Sequence, residues 1–347
     1  MIPTWQSGDV TLYLGDCLEV LPTRPDNSVD LIATDPPYYK VKDEPWDRQW
    51  DTPAGFLAWL DRVLAEFYRL LKPNGSLYLF ASPRMAARVE VLIAERFEVL
   101  NSIVWAKPTP GRGGGAEKEG LRGYFPNTER IIFAEHYGAD GIAKGESGWG
   151  AKCDELRGFV FEPLRAYLDG ERIAAGWRTE DVGVAWMAWQ GKESKWVTRL
   201  AGHWFERVQW ALPTADNYAW LRDLFNRNGG EYLRREYEDL RREYEDLRRP
   251  FIVSADVPYT DVWTFPTVPA NNGKHPCEKP LAMMEHIIRA SSRPGAVVLD
   301  PFMGRATTGL AALNLGRQFV GIDATPEWYE KGKTRIEQAQ MQTRMAI

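Results

Sequence analysis

The sequence predicts an α/β domain built on a mixed, mostly parallel sheet and interrupted by a largely helical insertion. Three observations predict it. Short apolar runs rich in β-branched residues alternate with longer stretches of helical periodicity, the rhythm of strands joined by crossover helices. Two of those runs, Val29-Asp30-Leu31-Ile32-Ala33 and Val297-Val298-Leu299, lead into an Asp-Pro pair, at Asp35-Pro36 and Asp300-Pro301. Between about Gly138 and Asp256 the rhythm breaks, and tryptophans and arginines replace it. At 347 residues and 44% hydrophobic, the chain suffices for one large α/β domain plus an insertion. Residues 1–137 and 256–347 are assigned to the α/β domain, and 138–255 to the insertion.

In chain order, Val10–Leu14 reads as a strand ending in the turn Gly15-Asp16-Cys17. Val29–Ala33 reads as a buried strand, and the prolines at 36 and 37 stop it by removing ladder donors. The charged stretch Lys40–Asp51, with Trp46 and Trp50, reads as a loop at the mouth of the site. Thr52-Pro53 opens a helix whose apolar stripe runs from Phe56 to Leu71 and is stopped at Pro73-Asn74-Gly75. Strands follow at Ser76–Phe80, Val99–Trp105 and Glu129–Glu135, with a helix around Met85–Arg96. Val297–Asp300, a tight loop, a helix ended near Gly316 and Gln318–Asp323 form a βαβ unit. Pro326–Gln340 reads as a covering helix.

Chemistry concentrates where strands end. Thr34-Asp35-Pro36-Pro37-Tyr38 sets a carboxylate, a carbonyl outside the ladder and an aromatic ring on a stiff loop, at the strand end where α/β sheets bind ligands. Such a set suits a flat, amine-bearing ring: Tyr38 stacks on its face, while Asp35 and the Pro36 carbonyl accept from the amine. In the βαβ unit, Asp323 falls about twenty residues after the loop, the usual place for an acid that binds ribose hydroxyls. No G-x-G-x-x-G pyrophosphate seat accompanies it, which fits a nucleoside cofactor without phosphates better than a dinucleotide.

Asp35-Pro36-Pro37-Tyr38 resembles the catalytic motif of amino-group DNA methyltransferases, enzymes that use S-adenosylmethionine to methylate adenine or cytosine. Asp300-Pro301-Phe302-Met303-Gly304-Arg305-Ala306-Thr307-Thr308 resembles their D-P-F-x-G-S-G-T-T cofactor loop, with Arg305 and Ala306 in place of serine and glycine. Catalytic motif first and cofactor motif last is the permuted order of the β class, whose pieces here span about 8–135 and 256–340. The resemblance implies a Rossmann-like methyltransferase sheet with S-adenosylmethionine as cofactor. It implies cofactor contacts from Asp16, Cys17, Asp300, Pro301, Phe302, Gly304, Thr307, Thr308 and Asp323. Lys279 joins them through His275-Pro276-Cys277-Glu278-Lys279-Pro280, similar to the family's H-P-x-x-K-P segment, as partner for the methionine carboxylate. It also implies Asp35, Pro36, Pro37 and Tyr38 as the catalytic set, acting on a base flipped from the duplex. Aspartate before Pro-Pro-Tyr is commoner among adenine enzymes, so adenine-N6 is favoured over cytosine-N4. Two other readings stay open: a DNA-binding regulatory protein that kept the fold and lost turnover, and the same chemistry on RNA or a protein glutamine.

Double-stranded DNA is the expected partner, although a formal charge of −5 requires local concentration of cations. Lys107 and Arg112 on the glycine-rich stretch after it, Arg122, and Arg178 and Arg199 in the insertion are the candidate DNA contacts. Seven of fifteen tryptophans lie between Trp177 and Trp220, among short helices predicted at Leu164–Ala175, from a Thr179 cap, and at Ala215–Phe225 after a Thr214 cap. A module of this kind serves target recognition or an interface. Glu236-Tyr237-Glu238-Asp239-Leu240-Arg241-Arg242 recurs at Glu243–Arg249, and its Tyr/Leu seam reads equally as an internal strut or a homodimer contact. Three well-separated cysteines and four scattered histidines form neither a disulfide framework nor a metal pattern. With neither a leader nor a membrane-spanning run apparent, a cytoplasmic protein is expected.

Overall fold

The computed structural model describes residues 2–108, 124, 126–136, 162–191, 201–206, 210–253, 260–269 and 277–345. The described strands are β1 (Trp5–Ser7), β2 (Val10–Leu14), β3 (Val29–Thr34), β4 (Leu71–Ala81), β5 (Glu98–Ala106), β6 (Thr128–Glu135), β7 (Val262–Trp263), β8 (Val297–Asp300) and β9 (Gln318–Asp323). They form one sheet in the order β1-β2-β9-β8-β3-β4-β6-β5-β7. The middle of the sheet is parallel, from β2 through β9, β8 and β3 to β4, and antiparallel pairings flank it. Leu31, Ile32, Val298 and Leu299 are fully buried, as a parallel sheet covered on both faces requires.

Helices α1 (Cys17–Val20), α2 (Pro45–Arg48), α3 (Pro53–Leu70) and α4 (Ala86–Ala94) precede the insertion. The Thr52 hydroxyl caps α3 by accepting from the Gly55 amide at 3.1 Å. Phe56, Leu60, Val63, Leu64, Phe67 and Leu70 bury its stripe against one face of the sheet, each worth about 1.5–3 kcal/mol relative to exposure. The helix ends at Leu70 rather than at Pro73, because Leu71 is already extended and begins β4. Lys72–Gly75 then bulges out of the ladder, so that Val29 faces Leu71 but Leu31 faces Ser76.

The chain divides into two compact units, residues 1–137 with 249–347, and residues 138–248. In the second, α5 (Glu162–Ala174), α6 (Thr179–Gln190), α7 (Ala215–Asn226) and α8 (Tyr237–Leu247) surround their own core. Thr179 is the first residue of α6, and Arg178 rather than Thr179 occupies the cap position. The Thr214 hydroxyl does cap α7, at 3.3 Å from the Asn217 amide. Trp204, Trp210 and Trp220 lie in this core, so those tryptophans serve packing rather than a contact face. Leu233 and Leu240 are fully buried there, with Tyr237, Tyr244 and Leu247 packed against the same cluster. The heptad seam is therefore a strut inside its own unit, and a dimer contact through that seam is not retained.

Back in the sheet unit, α9 (Leu281–Ser291), α10 (Thr307–Asn314) and α11 (Pro326–Met345) cover the other face, with α11 running beyond Gln340. Among the described residues no helix is long and apolar enough to cross a membrane.

Candidate active site

The chain moves outward in opposite directions from β8 and β3, since β9 lies on one side of this pair and β4 on the other. A sheet opens a crevice at such a switch point. Three carboxylates stand at that edge, Asp323 ending β9, Asp300 ending β8 and Asp35 just beyond β3. Side-chain bonds hold the strand ends in register. Thr34 Oγ1 donates to Asp300 Oδ1 at 2.7 Å, Thr308 Oγ1 donates to Asp300 Oδ2 at 2.6 Å, and the Gly304 amide donates to Asp323 Oδ2 at 2.9 Å.

A solvent-open groove of about 740 Å³ is lined by Asp16, Cys17, Asp35, Pro37, Pro301, Phe302, Gly304 and Asp323. A second recess of about 430 Å³ is lined by Asp35, Lys279, Asp300, Phe302, Gly304, Thr307 and Thr308. Asp35 borders both. Apart from Pro36 and Tyr38, every residue expected at the catalytic or cofactor site lines one of the two. Trp46 of the charged stretch, expected at the mouth of the site, also lines the groove, as do Trp59 and Trp328, which no motif marked. Trp59 packs on Phe302 at 5.7 Å between ring centres and on Trp50 at 4.6 Å, an aromatic wall.

Burial controls the charges. It raises Asp300 and Asp323 to about 6 each, and neither carboxylate makes an ion pair with a described residue. Two uncompensated acids beside an aromatic wall fit a cationic nucleoside such as S-adenosylmethionine. Burial also raises Asp35, against the opposing pull of Lys279, whose ammonium lies 2.5 Å from Asp35 Oδ2. The other oxygen, Asp35 Oδ1, is buried and accepts no hydrogen bond among the described residues. Burial alone would lower Lys279, yet Asp35 and Glu129 together hold it well above the usual lysine range. Glu129, 3.2 Å from that ammonium, also takes Lys107 Nζ at 2.6 Å. The two lysines overcome the effect of burial and bring Glu129 down to about 2.

Tyr38 lies deeper than a bare stacking plate. It is 7% exposed, its hydroxyl donates to Glu129 Oε2 at 2.8 Å, and the Lys279 ammonium sits 5.2 Å from its ring centre. Glu129 lies mid-sequence in an ordinary strand pattern, so only the fold reveals it as the hub joining Tyr38, Lys107 and Lys279. Lys107 is committed to that hub rather than presented to phosphate. Arg178 is exposed and pairs with Asp181 at 2.9 Å. Arg112, Arg122 and Arg199 lie outside the described residues.

The altered cofactor loop is also resolved. Arg305 neither extends freely into solvent nor stands alone, since it pairs with Glu278 at 3.1 Å, and Arg335 holds the other Glu278 oxygen at 2.9 Å. Ala306 adopts φ +54°, whereas alanine suits a helix start only at negative φ. The position keeps the left-handed backbone that glycine takes freely, and alanine occupies it under strain. Gly332 of α11 permits close packing here, for a Cβ on it would meet the Gly304 carbonyl oxygen at 2.8 Å.

A family model described as DNA methylase, for N6 and N4 methyltransferases, matches residues 29–334. The chain belongs to this DNA methylase family. Its members transfer methyl groups to amino nitrogens of DNA, and S-adenosylmethionine is the cofactor. The chain is 24% identical to the type II methyltransferase M2.MboI of Moraxella bovis, over 97% of this chain and 91% of the relative. It is 26% identical to the DNA adenine methyltransferase YhdJ of Escherichia coli K12, over 95% of this chain and 83% of the relative. The solved PvuII cytosine-N4-specific DNA methyltransferase shares the fold, with TM-score 0.53, 14% identity, and coverage of 98% of this chain and 93% of that one.

Proposed function

We propose that this DNA methylase is adenine-specific and transfers the methyl group to the exocyclic amine of an adenine flipped out of duplex DNA. The observation that carries the reading is Asp35 Oδ1, which is buried at the junction of the two recesses and accepts no hydrogen bond among the described residues. An acceptor left in this state calls for a donor, and an adenine amine brings two N–H groups. The cofactor supplies a methyl group already activated on a sulfonium, so the protein has only to position and polarise the nucleophile.

In this reading Asp35 and the Pro36 carbonyl accept the amine hydrogens, which aligns the nitrogen lone pair and favours its localisation. As the N–C bond forms the C–S bond breaks, the thioether leaves, and the amine's surplus proton passes by way of Asp35 to solvent. Pro36 and Pro37 are buried and hold that geometry rigid. Tyr38 supplies a stacking face for the base, where the Lys279 ammonium now lies over its ring. Asp323, Asp16 and Phe302 hold the nucleoside part of the cofactor in the groove. Thr307 and Thr308 face its amino-acid part in the second recess, which Lys279 also lines while Asp35 and Glu129 hold its ammonium. Target recognition is assigned in this reading to the unit at 138–248, which has a core of its own. Adenine methylation is the named activity of YhdJ, which supports adenine over cytosine.

Plasmid DNA from cells expressing the chain, sequenced with detection of modified bases, tests the proposal. N6-methyladenine at one recurring sequence is expected. Asp35→Ala should abolish it while leaving cofactor affinity, measured by calorimetry, within about threefold, since the cofactor contacts come from other loops. N4-methylcytosine instead would overturn the choice of base. An unmodified plasmid from a cofactor-binding protein would favour the regulatory DNA-binding reading.

A further inference from the structure

The charged stretch after the Asp35–Tyr38 motif contains a residue whose environment does not match its setting. Asp47, in α2, is 0% exposed. No described cation pairs with its carboxylate, which is satisfied by backbone instead. Asp47 Oδ1 accepts from the Tyr38 amide at 2.6 Å, and Oδ2 accepts from the Val41 and Lys42 amides at 2.7 and 2.6 Å. The Lys40 amide donates to the Asp47 backbone carbonyl at 2.8 Å. A buried carboxylate is tolerated when several N–H donors converge on it, and here they come from both ends of one turn.

The turn itself is strained. Tyr39 and Lys40 have φ of +64° and +59°, two successive left-handed residues of which neither is glycine. Such a backbone persists only where surrounding bonds over-determine it, and it clusters at functional sites. Asp47 supplies those bonds, and its neighbours Trp46 and Gln49 line the groove. One side chain thereby joins the groove wall to the far end of the catalytic motif.

We infer that Asp47 is a positioning residue for methyl transfer, holding the backbone of Tyr38 and the turn beyond it in the place from which the motif meets the target base. This rests on the roles proposed above for Asp35 and Tyr38. Asp47 touches neither the base nor the methyl group in this account, and acts through the main chain of the motif.

The test uses the full chain, plasmid DNA and tritiated S-adenosylmethionine, with Asp47→Ala and the isosteric Asp47→Asn. Asparagine keeps the shape but offers one acceptor oxygen where the turn uses two. A displacement of about 1 Å at a reacting centre costs about 100-fold in rate, so a fall of that order in single-turnover rate is expected for Asp47→Ala, and about tenfold for Asp47→Asn. Cofactor affinity by calorimetry should stay within about threefold, and the KM for DNA should move much less than kcat. A wild-type chain that methylates, with both variants within about twofold of its rate, overturns the inference and leaves the proposed function standing. No methylation by the wild type overturns the proposed function, and the inference falls with it. Failure of both variants to fold by circular dichroism, or loss of cofactor affinity in step with rate, makes Asp47 a folding residue and also overturns the inference.

Discussion

Lys279→Met removes the charge from the buried network while keeping an unbranched chain against the rings of Tyr38 and Phe80. Lys279 is 6% exposed, and its partners Asp35 and Glu129 are 16% and 14% exposed. Glu129 would keep Lys107, but Asp35 would lose its counter-ion. Breaking one side of a buried pair costs about 3–5 kcal/mol. The lower end, about 3 kcal/mol, is expected because Asp35 retains some solvent contact and Glu129 remains paired. In a domain of this size that loss lowers the melting temperature by about 6–12 °C. The sign of the pH effect follows from the raised folded-state pKa of an unpaired Asp35. Below its unfolded value of about 3.9 the acid is protonated in both states, so the penalty vanishes there and grows as pH rises toward the folded value. Thermal unfolding of both proteins at about pH 5 and about pH 7.5 should therefore show the larger deficit at the higher pH. A deficit below about 2 °C, or one equal at both pH values, would refute the view that Lys279 neutralises Asp35.

Asp300 and Asp323, each raised to about 6, make cofactor affinity pH-dependent. Calorimetry should show affinity for the cationic cofactor rising as pH increases through about 6, with protons released on binding at or below that pH. The unliganded sheet unit should lose stability over the window from about 4 to about 6, as these buried acids ionise. Gly332→Ala drives a methyl against the Gly304 carbonyl, so a loss of about 1–3 kcal/mol in stability and weaker cofactor binding are expected in thermal unfolding and calorimetry. Leu240→Ala empties a fully buried site and should destabilise the insertion by about 2–5 kcal/mol while leaving the sedimentation coefficient unchanged. A change in oligomeric state instead would return the Tyr/Leu seam to an intermolecular role.

The alternation of short apolar runs with helical stripes by itself determined the parallel sheet, since strand burial and helix amphipathicity are local patterns written directly in residue order. Asp35-Pro36-Pro37-Tyr38 and Asp300–Thr308 were equally legible, because proline and glycine constrain the backbone wherever they occur. Residue order also placed Asp323 at a strand end. Tertiary structure alone decided what surrounds these groups. Glu129 becomes a hub only because β6 runs antiparallel beside β4, bringing its carboxylate to Lys279, which lies far away in sequence. The positive φ of Ala306, packed beside Gly332 of α11, is a backbone state that alanine itself disfavours, so residue identity carried no sign of it. The Tyr/Leu heptad carried no sign of which surface would cover it, and the neighbouring helices of its own unit do so. Asp47 looked like one more solvated acid in a charged loop. Its burial follows from amides that converge on it only once the turn has formed, and periodicity contains no term for that.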